Sequence, residues 1–161
     1  MEYIFDQDIW DVYDARKYWI VITTNIGWKR NGENVMGAGI AKQAANRFPW
    51  LPEQYGMICK EHKEETGVVF FEDVRLILLP TKRLNISQPH LSWMNKSDPE
   101  FIRKNLLELK SIINEDSKIK KVLMVLPGAK NGGLTIRQSL NIVKNILSGN
   151  PKIIMCDNRL R

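Results

Sequence analysis

The fold is decided by the stretch VITTNIGWKRNGENVMGAGIAKQAANRF, residues 21–48. Its β-branched beginning, up to Thr24, is typical of a buried strand, and its end, residues 40–48, lacks Gly and Pro and has helical character. The polar loop between them contains four glycines, Gly27, Gly32, Gly37 and Gly39. Glycines at a strand-to-helix turn let backbone N–H groups approach an anion, and the helix N-terminus adds unpaired donors and partial positive charge. The stretch therefore predicts a phosphate site built mainly from backbone.

Two known phosphate-binding loops do not fit this spacing. Gly37 and Gly39 match the first two glycines of a dinucleotide fingerprint, but Lys42 stands where the third belongs. Gly27 and Gly32 are spaced as in a Walker A loop, but the Lys and Ser/Thr of that motif do not follow. A glycine turn that only connects a strand to a helix is the alternative interpretation.

Composition restricts the classes of protein that fit. The 161 residues are enough for one domain with a buried core, so we expect a single domain over residues 1–161. A hydrophobic content of 43% and a charged content of 26% are ordinary for a globular protein, and no apolar run approaches the roughly 20 residues of a membrane span. The N-terminal residues do not resemble a signal peptide, so a cytoplasmic location without a membrane partner is expected. Neither the two cysteines nor the two histidines show ligand spacing, which predicts no metal site, cofactor or disulfide and two buried free thiols.

The formal net charge of +6 favours an anionic partner, either a small phosphate ligand or a polyanion. Basic residues are spread along the chain, and the one dense group, Lys118, Lys120 and Lys121, is most simply a solvated turn before a strand. Direct nucleic-acid binding is therefore an outside alternative.

Strand and helix patterns alternate along the chain. Strands are predicted over 2–5, 15–24, 68–71, 74–79, 122–126 and 152–155, and helices over 40–48, 53–65, from residue 98 onward and over 135–147. Residues 84–96 are predicted to be irregular. Trp28, in the first loop, is either a lid or a core anchor. The helix after residue 98 begins either with Asp98 as N-cap or with a capping box formed by Ser97 and Glu100.

Two further strand ends carry candidate chemistry. The apolar strand over 74–79 leads into Leu79-Pro80-Thr81-Lys82-Arg83, which places Lys82 at the edge where α/β sheets bind ligands. A second glycine loop, residues 127–134, follows the strand over 122–126 and precedes a helix. Two such turns on neighbouring strands can hold a pyrophosphate from both sides. The alternative for Lys82 is a solvated strand end.

Four segments in this order, QDI, TTN with VMGAGIA, LPTKR and NGGLT, resemble the ligand-binding segments of macro domains. The resemblance implies a three-layer α/β/α macro domain with a mixed, mostly parallel central sheet of about six strands. The family binds ADP-ribose. The LPTKR segment is similar to that of bacterial members that remove ADP-ribose from thymidine in DNA or from glutamate.

The resemblance also implies roles for individual residues. Lys82 is the implied catalytic residue, and Asn25 is implied to orient the distal ribose. Asp8 and Ile9 would contact adenine, and Asn158 is a further candidate on the adenine side. The alternative for Asp8 is that it caps the short turn WDVYD, residues 10–14. The remaining implied ligand-binding residues belong to the two glycine loops: Gly37, Ala38, Gly39 and Ile40 in the first, and Gly128, Asn131, Gly132, Gly133, Leu134 and Thr135 in the second.

The chain departs from the family pattern at one informative position. Thr135 stands where the relatives often carry an Asp that is thought to assist the catalytic Lys, and Gln138 makes a T-x-x-Q capping box an alternative role for it. The resemblance as a whole implies an ADP-ribosyl hydrolase acting on a modified protein or nucleic acid, whereas Thr135 in place of the Asp favours binding without hydrolysis. A non-catalytic ADP-ribose reader and an ADP-ribose 1″-phosphate phosphatase are the alternatives.

Overall fold

The computed structural model describes every residue from Met1 to Arg161. Six strands and five α-helices follow one another along the chain. They are β1 (Glu2–Tyr3), α1 (Ile9–Arg16), β2 (Trp19–Asn25), α2 (Gly39–Arg47), α3 (Leu51–His62), β3 (Val69–Phe71), β4 (Leu76–Lys82), α4 (Pro99–Glu115), β5 (Val122–Met124), α5 (Ile136–Leu147) and β6 (Ile153–Met155). Short 3₁₀ turns occupy several connections, among them Pro89–Met94 and Asn158–Leu160.

All six strands form one mixed sheet in the order β1-β6-β5-β2-β4-β3. The first five strands in this order are mutually parallel, and β3 pairs antiparallel with β4 at the edge. The carboxyl ends of β6, β5, β2 and β4 therefore meet at one edge of the sheet, where parallel α/β sheets bind their ligands.

Helices cover both faces of this sheet. In β2, Ile20 and Ile22 point to one face and pack with residues of α1, α2 and α3, while Val21 points to the other and packs with α4 and α5. The side chains of all three are buried. A strand covered on both faces reads as a continuous apolar run, which is why β2 and β4 could be recognised in the sequence. This arrangement confirms the predicted three-layer α/β/α architecture.

Some predicted boundaries were wrong. Ala15 and Arg16 belong to α1 and not to the following strand, because Asp8 caps a full two-turn helix that ends at Arg16. The second predicted helix begins earlier, at Leu51, since proline is tolerated in a first helical turn. Residues 84–96 are not wholly irregular, because Pro89–Met94 form a 3₁₀ turn. Trp28 packs against the core beside α1 to α3, which favours the anchor over the lid.

Two predicted caps are confirmed. Asp98 accepts hydrogen bonds from the backbone N–H groups of Glu100 and Phe101, so it caps α4 in place of the Ser97 box. Thr135 and Gln138 form the reciprocal capping box of α5. Both cysteines are free and buried, as expected. None of the five helices combines the length and the apolar character that crossing a membrane requires.

Candidate functional site

A cavity of about 430 Å³ opens at the carboxyl ends of the central strands. Both glycine loops and the end of β4 contribute to its wall. The lining residues are Thr23, Thr24, Asn25, Val35, Gly37, Ala38, Gly39, Ile40, Ala41, Thr81, Lys82, Trp93, Ser97, Val125, Leu126, Gly128, Ala129, Asn131, Gly132 and Arg159. Its volume lies within the range of about 300–1,000 Å³ that small-molecule sites occupy.

Two buried asparagines hold the first glycine loop in place. Asn25 Nδ2 donates to the Val35 carbonyl (2.9 Å), and Asn25 Oδ1 accepts from the Gly27 N–H (2.9 Å). Asn34 Nδ2 lies within hydrogen-bond distance of Asn25 O, Asn25 Oδ1 and Gly27 O. Asn25 lines the cavity, but most of its hydrogen-bonding capacity supports the loop, and one amide hydrogen remains without a protein acceptor. Its role toward a ribose therefore stays a prediction.

Replacing Asn34 with alanine is expected to destabilise the protein by about 1–3 kcal/mol, because the buried carbonyls of Asn25 and Gly27 lose their donor. Asn31→Ala is the matched control, since Asn31 lies in the same loop but is exposed. Asn31→Ala should lower the free energy of unfolding by no more than about 0.5 kcal/mol. Urea unfolding of the two variants measures both values, and equal small losses would contradict the bracing role of Asn34.

The first loop ends in the N-terminus of α2. Ala38 occupies the N-cap position, and no side chain caps the helix. The first N–H groups of α2, from Gly39 to Ala41, therefore have no side-chain acceptor beside a cavity that these same residues line. Gly39 has a φ of 57°, a conformation that glycine adopts with little strain. This end of α2 is suited to an anion.

The second glycine loop rests on Ser97. Gly128 has a φ of 76°, and the Leu134 N–H donates to the Gly128 carbonyl (3.0 Å), which closes the loop. The Ser97 N–H donates to the Gly132 carbonyl (2.7 Å). A Cβ atom on Gly132 would lie only 2.3 Å from Ser97 Oγ, so a glycine is required by this close approach.

Gly132→Ala is expected to displace the second loop and to weaken binding of an anionic ligand about tenfold, since overpacking typically costs ~1–3 kcal/mol. Ser97→Ala in the same chain should restore most of the affinity, because it removes the closest contact. Ser97 Oγ has no hydrogen-bond partner, so Ser97→Ala alone should be nearly neutral. Titration of the three variants with ADP-ribose tests this, and an unimpaired Gly132→Ala protein would show that the loop adapts.

Lys82, the last residue of β4, bridges two loops across the cavity. Its Nζ donates to the Trp93 carbonyl (2.7 Å) and lies 3.5 Å from the Asn131 carbonyl. Partial burial lowers the pKa of the Lys82 amine below its ordinary value. No carboxylate is among the lining residues, so no ion pair offsets this shift. The neighbouring Arg83 is turned toward Asp98, with 2.6 Å between Nε and Oδ2.

Several residues implied by the resemblance lie beside the cavity and do not line it. Asp8 is exposed at the start of α1, where Oδ1 accepts from the backbone N–H groups of Trp10 (2.8 Å) and Asp11 (3.3 Å). This geometry supports the capping role, while Oδ2 has no protein partner, so the adenine role stays a prediction. Asn158 Oδ1 accepts from the Asp6 N–H (2.9 Å). The others outside the wall are Ile9, Gly133, Leu134 and Thr135.

Eleven of the twenty lining residues were not among the predicted site residues. Eight of them lie within or directly before the motif segments, and the other three are Trp93, Ser97 and Arg159. Ser97 and Trp93 lie in the connection between β4 and α4, in which no periodic pattern indicated their direction. Arg159 follows β6 in a 3₁₀ turn, one residue beyond the predicted Asn158. The one sequence feature that could have indicated Arg159 as a site residue is its position shortly after the last predicted strand.

The sheet order, the helices on both faces and the two glycine loops at one cavity define a macrodomain fold. The sequence matches no protein-family model and no curated protein. Solved structures nevertheless share the fold over nearly the whole chain. The macrodomain of Mycobacterium tuberculosis DarG is 24% identical with a TM-score of 0.69, covering 96% of both chains. The macrodomain of Thermus aquaticus DarG is 21% identical with a TM-score of 0.69, covering 97% of this chain and 95% of its own.

A third similar structure is Thermosipho africanus DarTG in complex with ADP-ribose. It is 19% identical with a TM-score of 0.67, and the match covers 98% of this chain and 41% of the longer DarTG chain. These similarities confirm the macrodomain fold that the sequence predicts.

Proposed function

We propose that this protein binds ADP-ribose in the cavity and hydrolyses ADP-ribosyl groups from a modified macromolecule. The observation that carries the proposal is the convergence of both glycine loops and Lys82 on one cavity of about 430 Å³. The DarTG structure with ADP-ribose, which shares this fold, supports the choice of ligand.

The dimensions of the site fit a long, doubly charged ligand. Arg159 follows β6 and Lys82 ends β4, and these strands are separated by three strand spacings in the sheet. At about 4.8 Å per spacing, these two strands are about 14 Å apart. Between them lie the backbone donors of the two glycine loops, which suit a pyrophosphate. In this orientation the base lies toward Arg159 and the distal ribose toward Lys82.

The chemistry at the distal end would depend on Lys82. Its amine is the one titratable group on that side of the wall, and its lowered pKa increases the neutral fraction that can attack an anomeric carbon. The Lys82 nitrogen would bond to that carbon while the bond from the carbon to the acceptor breaks, and the acceptor would leave with the proton that the amine gives up. Water would then hydrolyse the new C–N bond, releasing free ADP-ribose and regenerating the Lys82 amine. These reaction steps require no metal ion.

The rim beside Lys82 favours a nucleic acid as acceptor over a protein. Trp93 is 47% exposed, and Lys96 and Lys130 are exposed nearby, where the Lys96 stem lies against Gly133. An exposed aromatic ring among basic side chains is the arrangement that binds single-stranded nucleic acids.

A non-catalytic ADP-ribose reader is the second candidate. It is favoured by the absence of a carboxylate among the twenty lining residues and by Thr135, which caps α5 and lies outside the wall. A reader would bind ADP-ribose equally well but would release none.

Calorimetric titration with ADP-ribose, with ADP and ribose 5-phosphate as controls, tests binding. We expect micromolar affinity for ADP-ribose, and no heat would overturn the proposal. Incubation with an ADP-ribosylated thymidine oligonucleotide and with an ADP-ribosylated glutamate peptide then tests hydrolysis. Release of ADP-ribose from the oligonucleotide is expected, release only from the peptide would contradict the assigned acceptor, and binding without any release would identify a reader. Phosphate release from ADP-ribose 1″-phosphate would identify a phosphatase.

A further inference from the structure

Arg159 is held rigidly at one end of the cavity by Asp157. Its Nε donates to Asp157 Oδ1 (2.8 Å) and its Nη2 to Asp157 Oδ2 (2.5 Å), so the pair is bidentate. Asp157 is buried and is itself fixed, because Oδ2 accepts from the Leu126 N–H (2.9 Å) and Oδ1 from the Arg159 N–H (3.1 Å). The guanidinium plane therefore has a defined orientation before any ligand arrives.

The pairing leaves the faces of the guanidinium available and occupies one edge. A carboxylate that already bonds two guanidinium N–H groups also offsets the positive charge, which makes Arg159 a weaker partner for a phosphate than a free arginine. A planar delocalised cation still stacks well on a flat ring. The Arg159 side chain is 27% exposed, so ligands can reach it, whereas Asp157 is 4% exposed.

No aromatic residue lines the cavity wall at this end, and the exposed ring of Phe5, after β1, lies outside the wall. Trp93 is the one aromatic residue in the wall, and it lies at the opposite end, beside Lys82. β4, which ends at Lys82, and β6, which precedes Arg159, are three strand spacings apart in the sheet. A ligand that extends along this edge with its distal ribose at Lys82 therefore has its base on the side of Arg159.

We propose that Arg159, fixed by Asp157, is the stacking platform for the adenine of ADP-ribose. The proposal deepens the proposed function and rests on it. Arg159 would thus be a binding residue for the base, and Asp157 a positioning residue that acts only through Arg159. The competing role for Arg159 is a charge contact with the pyrophosphate.

Two substitutions separate the contribution of the planar guanidinium surface of Arg159 from the contribution of its positive charge. Arg159→Tyr keeps a flat stacking surface and removes the charge, while Arg159→Lys keeps the charge and removes the plane. If Arg159 stacks on adenine, Arg159→Lys should weaken ADP-ribose binding about tenfold or more, in line with about 1–3 kcal/mol for a stacked base, and Arg159→Tyr should stay within about threefold of wild type. Calorimetry with ADP-ribose measures both.

The reverse order, with tyrosine impaired and lysine intact, would overturn the proposal in favour of a pyrophosphate contact. Equal losses or no loss in both variants would also overturn it. Because tyrosine leaves the buried Asp157 carboxylate without its cationic partner, melting temperatures are recorded. If the single variant fails to fold, Asp157→Asn combined with Arg159→Tyr replaces it. If the wild-type protein does not bind ADP-ribose, the proposed function itself is wrong. If the wild type binds but the tyrosine variant is weakened more than the lysine variant, only the proposed role of Arg159 is wrong.

Discussion

Lys82→Ala is expected to lower the rate of ADP-ribose release by about 10²–10⁴-fold while affinity for ADP-ribose changes little. The reason is that the Lys82 amine is the one titratable group at the distal end of the cavity, whereas the glycine loops supply most of the contacts to the pyrophosphate. Single-turnover release from an ADP-ribosylated oligonucleotide measures the rate, and calorimetry measures the affinity. Lys60→Ala is the control, since Lys60 is exposed on α3 away from the cavity.

The pH dependence of the wild-type rate separates two roles of this amine. Burial lowers the pKa of Lys82, so the neutral form accumulates at a lower pH than it would on an ordinary lysine. A nucleophilic amine must be neutral, so the rate should rise with pH and level off below the usual pKa of 10.5. A rate that falls with increasing pH over this range would instead mean that the ammonium form acts as a cation. That outcome would contradict the nucleophilic role.

A structural effect of the substitution must also be separated from a chemical one. Lys82 Nζ donates to the Trp93 carbonyl, so alanine releases the 3₁₀ turn of residues 89–94 as well as removing the amine. Lys82→Arg keeps a positively charged donor for the Trp93 carbonyl but cannot supply a neutral amine. If release is lost in both variants while both melt near the wild-type temperature, the amine itself is required. Unchanged release in both would show that Lys82 is not the catalytic residue.

The architecture was largely predictable because its signals are local. β2 and β4 are covered on both faces and appear as apolar runs, and each glycine loop lies between a strand and a helix in the sequence. The strand order is set by contacts between distant segments, and here it became predictable only through the resemblance to macro domains. The start of the second strand was predicted too early, because residues 9–16 have little of the amphipathic pattern that marks a helix. Asp8, whose capping side chain marks the start of α1, was also interpreted as a contact for adenine.

The cavity wall was predictable only where a motif marked it. Lys82 and the two glycine loops stand directly after strands, so their position at the sheet edge follows from topology. Arg159 was missed in favour of Asn158, because a 3₁₀ turn after β6 decides which of two adjacent side chains points inward. Ser97 was missed because it precedes α4, and the pattern of that helix indicates only residues that pack in the core.

Gly37→Glu is expected to weaken ADP-ribose binding by at least about 100-fold without lowering stability. A Cβ atom at Gly37 would meet nothing closer than Val35 Cγ1 at 3.9 Å, and its backbone φ is not positive, so the protein accommodates a side chain there. Gly37 lines the cavity, so the carboxylate would occupy the space beside the N-terminus of α2 and repel the pyrophosphate. Like charges a few Å apart at a partly buried site cost several kcal/mol, at about 4 kcal/mol for 4 Å and an effective dielectric constant of about 20.

The matched control is Gly149→Glu, which adds the same side chain at an open position outside the cavity wall. Calorimetry with ADP-ribose and thermal melting are carried out on both variants. The control should bind like wild type, and both should melt within a few degrees of it, because neither substitution meets a clash or strained backbone. A Gly37→Glu protein that is folded and binds normally would place the ligand elsewhere, since an anion cannot share this part of the cavity with a glutamate. Loss of binding in the control as well would mean that added negative charge, and not the position of Gly37, weakens the interaction.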